Sequence, residues 1–336
     1  MAKPFTTLDD VAKAAGMSRA QVSRALRGDP GVRAQTRERI DAIAAQLNYR
    51  PNLAARSLVS ARSSIVGLIL GDPNNPFHIQ LAQAVDRRLL AAGFDGIASL
   101  RSMDDAGALQ EVERLLSLRA AGIILLGPAH HPKVIGEIAE KLPCVFIGSK
   151  RVSHPKVISI AVDDDNGVRL AMEHLYAQGH RRIAHLAGGR EPSSKERANA
   201  YSRFMQEAGL EPLLIRGQHN AASGRAGVDA LFAGPTPPTA IFASNDFIAL
   251  GVLDRLKGMG LSVPDDVSVV GFDDIPDAAN ALFALTTLRQ DTEAQAQAAV
   301  ESLQAILSGN LPRKRRIDMP VKLIVRASTT TPESIR

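Results

Sequence analysis

Apolar residues follow two different rhythms along this chain. From residue 7 to about 47 they recur every three or four positions, as Leu8, Val11, Ala12 and Ala15, then Val22 and Leu26, then Ile40, Ile43, Ala44 and Leu47. That period places each set on one face of a helix, so three short helices are predicted. From Ile65 onward, short continuous apolar runs alternate with stretches of helical period. The runs at 65–70, 97–100, 123–126, 145–147, 183–187, 213–215, 240–243 and 267–272 read as buried parallel strands. Strands covered on both faces are apolar throughout rather than at alternate positions. Helices are predicted between and after them, at about 77–92, 106–118, 132–141, 166–178, 194–208, 223–232, 247–257 and 292–307. This alternation predicts a doubly wound α/β architecture, and eight strand–helix units exceed one comfortable sheet, so two lobes are expected. Crossings between them are placed at Asp163-Asp-Asp165, near Gln290 and near Pro320. The expected organisation is a helical head over 1–50, a connecting segment over 51–62, one lobe from 63–162 with 291–320, and a second from 163–290 with 321–336.

The head carries strong punctuation. Thr7-Leu-Asp-Asp10 and Ser18-Arg-Ala-Gln21 both have the spacing of a capping box, Gly16 stops the first helix, and Gly28-Asp-Pro-Gly31 is a dense turn. Two short helices joined at one glycine, with a third closing the core, follow the helix-turn-helix plan. In the second helix Val22, Ala25 and Leu26 point inward, while Arg19, Ala20, Ser23 and Arg24 lie toward the exposed side. A helix that reads the major groove needs small or polar residues at its N-terminal end and an arginine that can bond guanine bidentately. A plain helical hairpin with surface arginines would show the same period; the flanking segment separates the two. Tyr49-Arg-Pro-Asn-Leu-Ala-Ala-Arg-Ser-Leu58 reads as a short helix begun by Pro51, too short to stand alone in water. It leads through a polar stretch into the first apolar strand, as a helix that folds only on DNA would.

Composition narrows the class. The chain has 336 residues, 45% hydrophobic and 22% charged, which fits a soluble globular protein with at least two cores. No stretch approaches the roughly 18 apolar residues of a membrane helix. The start, Met1-Ala-Lys-Pro-Phe-Thr-Thr7, shows no apolar run before a cleavage site, and the lone Cys144 leaves no intrachain disulfide. Both point to the cytoplasm. The charge is uneven: residues 1–62 hold 11 Lys and Arg against 5 Asp and Glu, the remainder 29 against 30. A basic head on a neutral body implies a polyanion partner for the head.

Polar residues collect where the predicted strands end, in Asp72-Pro-Asn-Asn-Pro-Phe-His78, Gly148-Ser149, Ser244-Asn-Asp246 and Gly271-Phe-Asp-Asp274, with Ser193-Ser-Lys-Glu-Arg197 opening a helix after Gly188-Gly189. Doubly wound sheets bind ligands at the carboxyl ends of their strands. An arginine, several Asn and Asp and an aromatic ring suit a sugar. Each alone is equally well a turn or a helix cap, Asp72 and Asp246 most of all.

The run from Thr7 to Leu26, followed by Tyr49 to Leu58, resembles the LacI/GalR family of bacterial repressors, and the likeness continues to Val325-Arg-Ala-Ser-Thr329. The resemblance implies an all-α helix-turn-helix head on an α/β periplasmic-binding-protein-like body of two doubly wound lobes. It implies that Arg19, Ala20 and Arg24 face base edges, that Ser18, Ser23, Asn48 and Tyr49 meet phosphates, and that Leu58, on the same segment as Arg56, wedges into the minor groove. In the body it implies Arg197, Asn245 and Asp273 as the main effector contacts, with Asn74, Phe77, Ser149, Phe247 and Gln290 lining the cleft. Two positions depart from the family pattern. Arg33 stands where Ser or Thr usually caps the third helix, and Ala284 where Pro usually precedes Leu-Thr-Thr, which puts the local turn in question.

The expectation is a ligand-responsive, DNA-binding transcriptional regulator, most simply a repressor, that acts as a homodimer on a pseudo-palindromic operator. Its effector is expected to be a sugar or polyol, with no cofactor, no metal and no membrane partner. The chain ends at Pro332-Glu-Ser-Ile-Arg336, without room for a heptad helix, which favours a dimer over a tetramer. Two other classes fit the sequence less well. A solute-binding protein suits the body alone but not the basic head. A sugar-metabolising enzyme finds no catalytic constellation: there is no Gly-x-Ser-x-Gly, no P-loop and no metal-spaced histidine motif. Asp163-Asp-Asp165 reads as a solvated turn, and Arg313-Lys-Arg-Arg316 as a solvated loop before a strand.

Overall fold

A computed structural model describes residues 6–49, 63–101, 105–127, 131–149 and 152–332. The chain divides into two units, 1–63 and 64–336.

In the first unit, α1 (Leu8–Ala15), α2 (Arg19–Leu26) and α3 (Ala34–Gln46) form the head. Both capping boxes are present: Asp10 N–H donates to Thr7 Oγ1 at 3.3 Å and Gln21 N–H to Ser18 Oγ at 3.2 Å, each with the reciprocal bond. Gly16 ends α1 at a φ of 64°, in the left-handed region that suits glycine. Val11, Ala15, Val22, Ala25 and Ile40 close a small core. Arg33 makes no side-chain cap on α3, as its departure from the family pattern implies.

In the second unit, two six-stranded sheets each carry helices. The first runs β2 (Asp95–Ser99), β1 (Ile65–Leu70), β3 (Gly122–Leu126), β4 (Cys144–Ile147), β5 (Val157–Val162) and β11 (Arg316–Met319), all parallel. The second runs β7 (Leu213–Arg216), β6 (Ile183–Ala187), β8 (Ala240–Ala243), β9 (Ser268–Asp273), β10 (Thr286–Gln290) and β12 (Val321–Ile324). Here β12 is antiparallel to β10. In chain order, α4 (Pro76–Ala91), α5 (Asp105–Ser117) and α6 (Pro132–Lys141) follow β1, β2 and β3. Next come α7 (Asp164–Ala177), α8 (Pro192–Glu207), α9 (Ala221–Phe232), α10 (Asp246–Gly258) and α11 (Thr292–Leu307). All six residues of β1 are buried, because helices cover both faces of its sheet. Where α9 crosses α10 the backbones nearly touch: a Cβ at Gly251 would lie 2.0 Å from the carbonyl oxygen of Ala221.

The chain passes from the first sheet to the second after β5, returns after β10, and passes again between β11 and β12. Three strands, β5, β10 and β12, are not among the runs read from the sequence, and β11 begins at Arg316, the end of the stretch read as a loop before a strand. In β10, Thr286 and Thr287 are buried although polar, because their hydroxyls have partners in Thr329 and Asp246. At the departure from the family pattern, Ala284 has a φ of 39° and donates its N–H to the Asn280 carbonyl at 2.7 Å. Proline has neither that φ nor that donor, so the turn before β10 is one that proline could not make.

His185 in β6 lies fully buried against Phe242, 4.7 Å between ring centroids, with Nδ1 2.9 Å from the Phe242 carbonyl oxygen. Burial drives its pKa down to about 3. An unfolded histidine titrates at about 6.5, so the unfolded chain binds the extra proton between those values and stability is lost as pH falls below 6.5. From pH 6.5 to 5 that loss is about 2 kcal/mol. His185→Phe should lose about that much less than the wild type, read from urea midpoints at the two pH values; equal losses would contradict the assignment.

Candidate functional site

Two surfaces gather the residues singled out above. On the head, Ser18 caps α2, and Arg19, Ala20 and Arg24 are exposed on that helix. Arg19 Nε lies 3.6 Å from Asp9 Oδ1 in a mostly solvated pair. Ser23 is half-buried, and its hydroxyl accepts from Arg27 Nη1 at 2.6 Å, which leaves its own O–H to donate. Asn48 adopts a left-handed φ of 49° as α3 ends, and Tyr49 packs its ring against the head core. Arg56 and Leu58 lie outside the described residues.

In the body, a cleft lies between the two lobes, at the carboxyl ends of their strands. Phe77, Ser149, Arg197, Asn245, Asp273 and Gln290 all line it. Asn74 and Phe247 do not. Asn74 is exposed, its N–H donating to Asp72 Oδ1 at 2.9 Å, and Asn75 turns inward instead as the cap of α4. Phe247 is half-buried on α10, one step past Asp246, and it is Asp246 that turns into the protein.

The centre of the cleft is a chain of hydrogen bonds and ion pairs. Arg197, 4% exposed, donates from Nε to Asp164 Oδ1 at 2.7 Å and from Nη1 to the Ser244 carbonyl at 2.6 Å. Its Nη1 lies 3.7 Å from Asp273 Oδ1, and its guanidinium stacks 3.5 Å over the Phe272 ring. Asp164 also accepts from Ser149 Oγ at 2.5 Å, and Asp273 from Gln290 Nε2 at 2.6 Å. Ser149 comes from the first sheet's strand ends and Asp273 from the second's, so this chain of bonds joins the lobes. Asp163-Asp-Asp165 is therefore not wholly a solvated turn: Asp164 is buried, because Arg197 neutralises it.

Asp273 and the next residue are held in the left-handed region, at φ 119° and 58°. Non-glycine residues persist there only when their surroundings fix them. Arg326 Nη2 and Arg289 Nε hold Asp274 at 2.6 and 2.5 Å, and Asp246 accepts from the Ile275 N–H at 2.9 Å. Burial pushes the Asp273 carboxyl up to about 7, against the pull of Arg197.

Other residues line the cleft too: Asp72, His78 and Ser193, which belong to the polar stretches noted at the strand ends, and Glu191, His219 and Gln295, which lie outside those stretches. Burial lowers the pKa of both histidines, His219 to about 4. Gly188-Gly189 was the available signal. A Cβ at Gly188 would lie 2.2 Å from His219 Nε2, and one at Gly189 2.7 Å from Glu191 Oε2, so the glycines make room for these two side chains. Among the described residues no group of three or more His, Cys, Asp or Glu is placed to hold a metal ion, and no helix is long and apolar enough to cross a membrane.

Comparison with known proteins bears on both surfaces. Residues 7–52 match the domain described as bacterial regulatory proteins, lacI family, and residues 172–329 a periplasmic binding protein-like domain. The transcriptional regulator DegA of Bacillus subtilis (strain 168) is 31% identical over 333 residues, covering 97% of this chain and 98% of that protein. The lactose operon repressor of Escherichia coli (strain K12) is 31% identical over 337 residues, covering 99% of this chain and 92% of that protein. The crystal structure of the Lac repressor dimer bound to operator and the anti-inducer ONPF superposes with a TM-score of 0.84 at 30% identity, over 97% of this chain and 99% of that one. A complex of the transcriptional regulator CelR with cellobiose gives 0.70 at 28% identity, over 96% of this chain and 99% of that one. The chain belongs to the LacI family of bacterial regulatory proteins and is a DNA-binding transcriptional regulator.

Proposed function

We propose that this regulator is a cytoplasmic repressor, not an enzyme, that binds a pseudo-palindromic operator as a homodimer and is controlled by a small polar effector, a sugar or polyol, held between its lobes. The observation that carries this reading is the Ser149–Asp164–Arg197–Asp273–Gln290 chain of bonds across the cleft. Its Ser149–Asp164 bond crosses between the lobes, so a ligand that displaces either side chain alters how the lobes are joined. An effector shifts a two-state equilibrium only through unequal affinity for the two states, and a bonded chain that spans both lobes supplies such a difference.

On the head, Arg19, Ala20 and Arg24 are assigned to base edges and Ser18, Asn48 and Tyr49 to phosphates. Ser23 joins the phosphate set, since its bond from Arg27 uses a lone pair and leaves its O–H to donate. Arg56 and Leu58 are assigned to DNA, Leu58 as the wedge in the minor groove at the operator centre, and 51–58 to a hinge helix that forms on DNA, with the linker running on to 62. The body supplies the dimer contact that brings the two heads to adjacent half-sites.

The test is selection of binding sequences from random DNA by the full chain, followed by an electrophoretic shift at moderate salt. A two-fold-symmetric site bound at least about 10³-fold more tightly than random duplex is expected. Binding of all sequences alike would overturn the reading.

A further inference from the structure

On the reading of the cleft as an effector site, we propose that Glu191 and His219 form a hydroxyl-reading subsite: they select an effector that presents an uncharged O–H group there and turn away one that presents a phosphate or carboxylate. Glu191 precedes α8 in the capping position, yet its side chain makes no cap hydrogen bond. Its Oε2 is buried without a partner and so is His219 Nε2, although the two atoms lie only 3.5 Å apart. Both residues line the cleft, and Gly188 and Gly189 leave the space they occupy. Two adjacent polar atoms in a cleft, each without a hydrogen-bond partner and each accommodated by a glycine, are arranged for a third atom beside the pair that bonds to both.

The chemistry of the pair fixes what that atom is. A carboxylate only accepts hydrogen bonds, and a neutral imidazole offers one N–H and one lone pair. A hydroxyl donates to Glu191 Oε2 and accepts from the imidazole N–H, satisfying both. A phosphate or carboxylate oxygen has no hydrogen for Glu191 and sets like charge against it, an arrangement that specific sites use to reject the wrong ligand. His219 is kept neutral chiefly by burial. Arg197 and His78 act in the same direction, while Asp72, Asp164 and Glu191 itself are the acidic groups facing it. When His219 is protonated it pairs with Glu191 and occupies the acceptor, so affinity for a hydroxyl ligand should fall as pH drops toward about 4.

The test is a thermal-shift and calorimetric panel on the full chain: monosaccharides, disaccharides and polyols, each beside its phosphate ester, its sugar acid and its deoxy analogues. The wild type should bind an uncharged member and bind its deoxy or anionic counterpart at the reading position about 10- to 100-fold less tightly, the range expected for a hydrogen bond to a charged group. Glu191→Gln and His219→Asn should shrink that discrimination and flatten the pH profile of affinity, changes that a purely structural role would not produce. Wild-type discrimination and pH dependence retained in both variants would overturn the subsite and leave the cleft reading standing, as would an anionic member preferred by the wild type and by both variants. Absence of binding by any member would overturn the cleft reading itself, and the subsite with it.

Discussion

Replacing Arg197 by alanine should lower the stability of the body by about 3–5 kcal/mol and abolish the response to effector, while the head continues to bind DNA. Asp164 and Asp273 are 2% and 4% exposed, and Arg197 is the cation that faces both. Without it two carboxylates are left buried, Asp164 with the Ser149 hydroxyl and Asp273 with the Gln290 amide. Removing one partner of a buried ionic group costs far more than the intact group contributes, because the remaining charge has lost its compensation. Arg197→Lys is the informative companion. It restores the charge but not the planar fork that reaches Asp164 and the Ser244 carbonyl together. It should recover part of the stability and little of the response. Urea unfolding of the body, followed separately from the head because the two units need not unfold together, gives the first quantity, and effector titration the second. A body as stable as the wild type, with its response intact, would remove Arg197 from the centre of the cleft.

Arg24→Ala should cost about 1–3 kcal/mol of operator affinity and relax discrimination at one base position. The side chain is exposed on α2, two turns from a well-formed cap, where a guanidinium can reach a guanine edge. Ser23→Ala serves as the contrast. Its hydroxyl accepts from Arg27 Nη1 at 2.6 Å and keeps its O–H for a phosphate, so its loss should weaken binding uniformly across sequences. Competition shifts with operators substituted base by base distinguish the two effects, and unchanged discrimination in Arg24→Ala would refute its role as a base reader.

What could be read in advance depended on where each residue's partner lies. The caps of α1 and α2 are legible because donor and acceptor stand three residues apart. The strand β1 is legible because burial on both faces leaves an unbroken apolar run. By contrast, β10 is buried through hydroxyls whose partners, Thr329 and Asp246, are about forty residues away, so its polar sequence conceals a central strand. The cleft divides in the same way. Residues with a familiar setting, at strand ends such as Asn245 and Asp273 or on the helix that follows one such as Arg197, are recognisable from the chain. Asp164 looked solvated because its neutralising arginine is 33 residues on, and His219 lies in a loop with no local pattern around it. Asn74 and Phe247 show the limit of one-residue precision. In both cases it is an adjacent residue, Asn75 or Asp246, that the helix start turns inward.

Coupling between the cleft and the head is the central claim, and measuring operator affinity with and without saturating effector tests it most directly. The account predicts a change of about 5- to 150-fold, matched by an equal change in effector affinity when operator is present, because coupling between two sites is reciprocal. An operator affinity that stays the same with a ligand demonstrably bound in the cleft would contradict it.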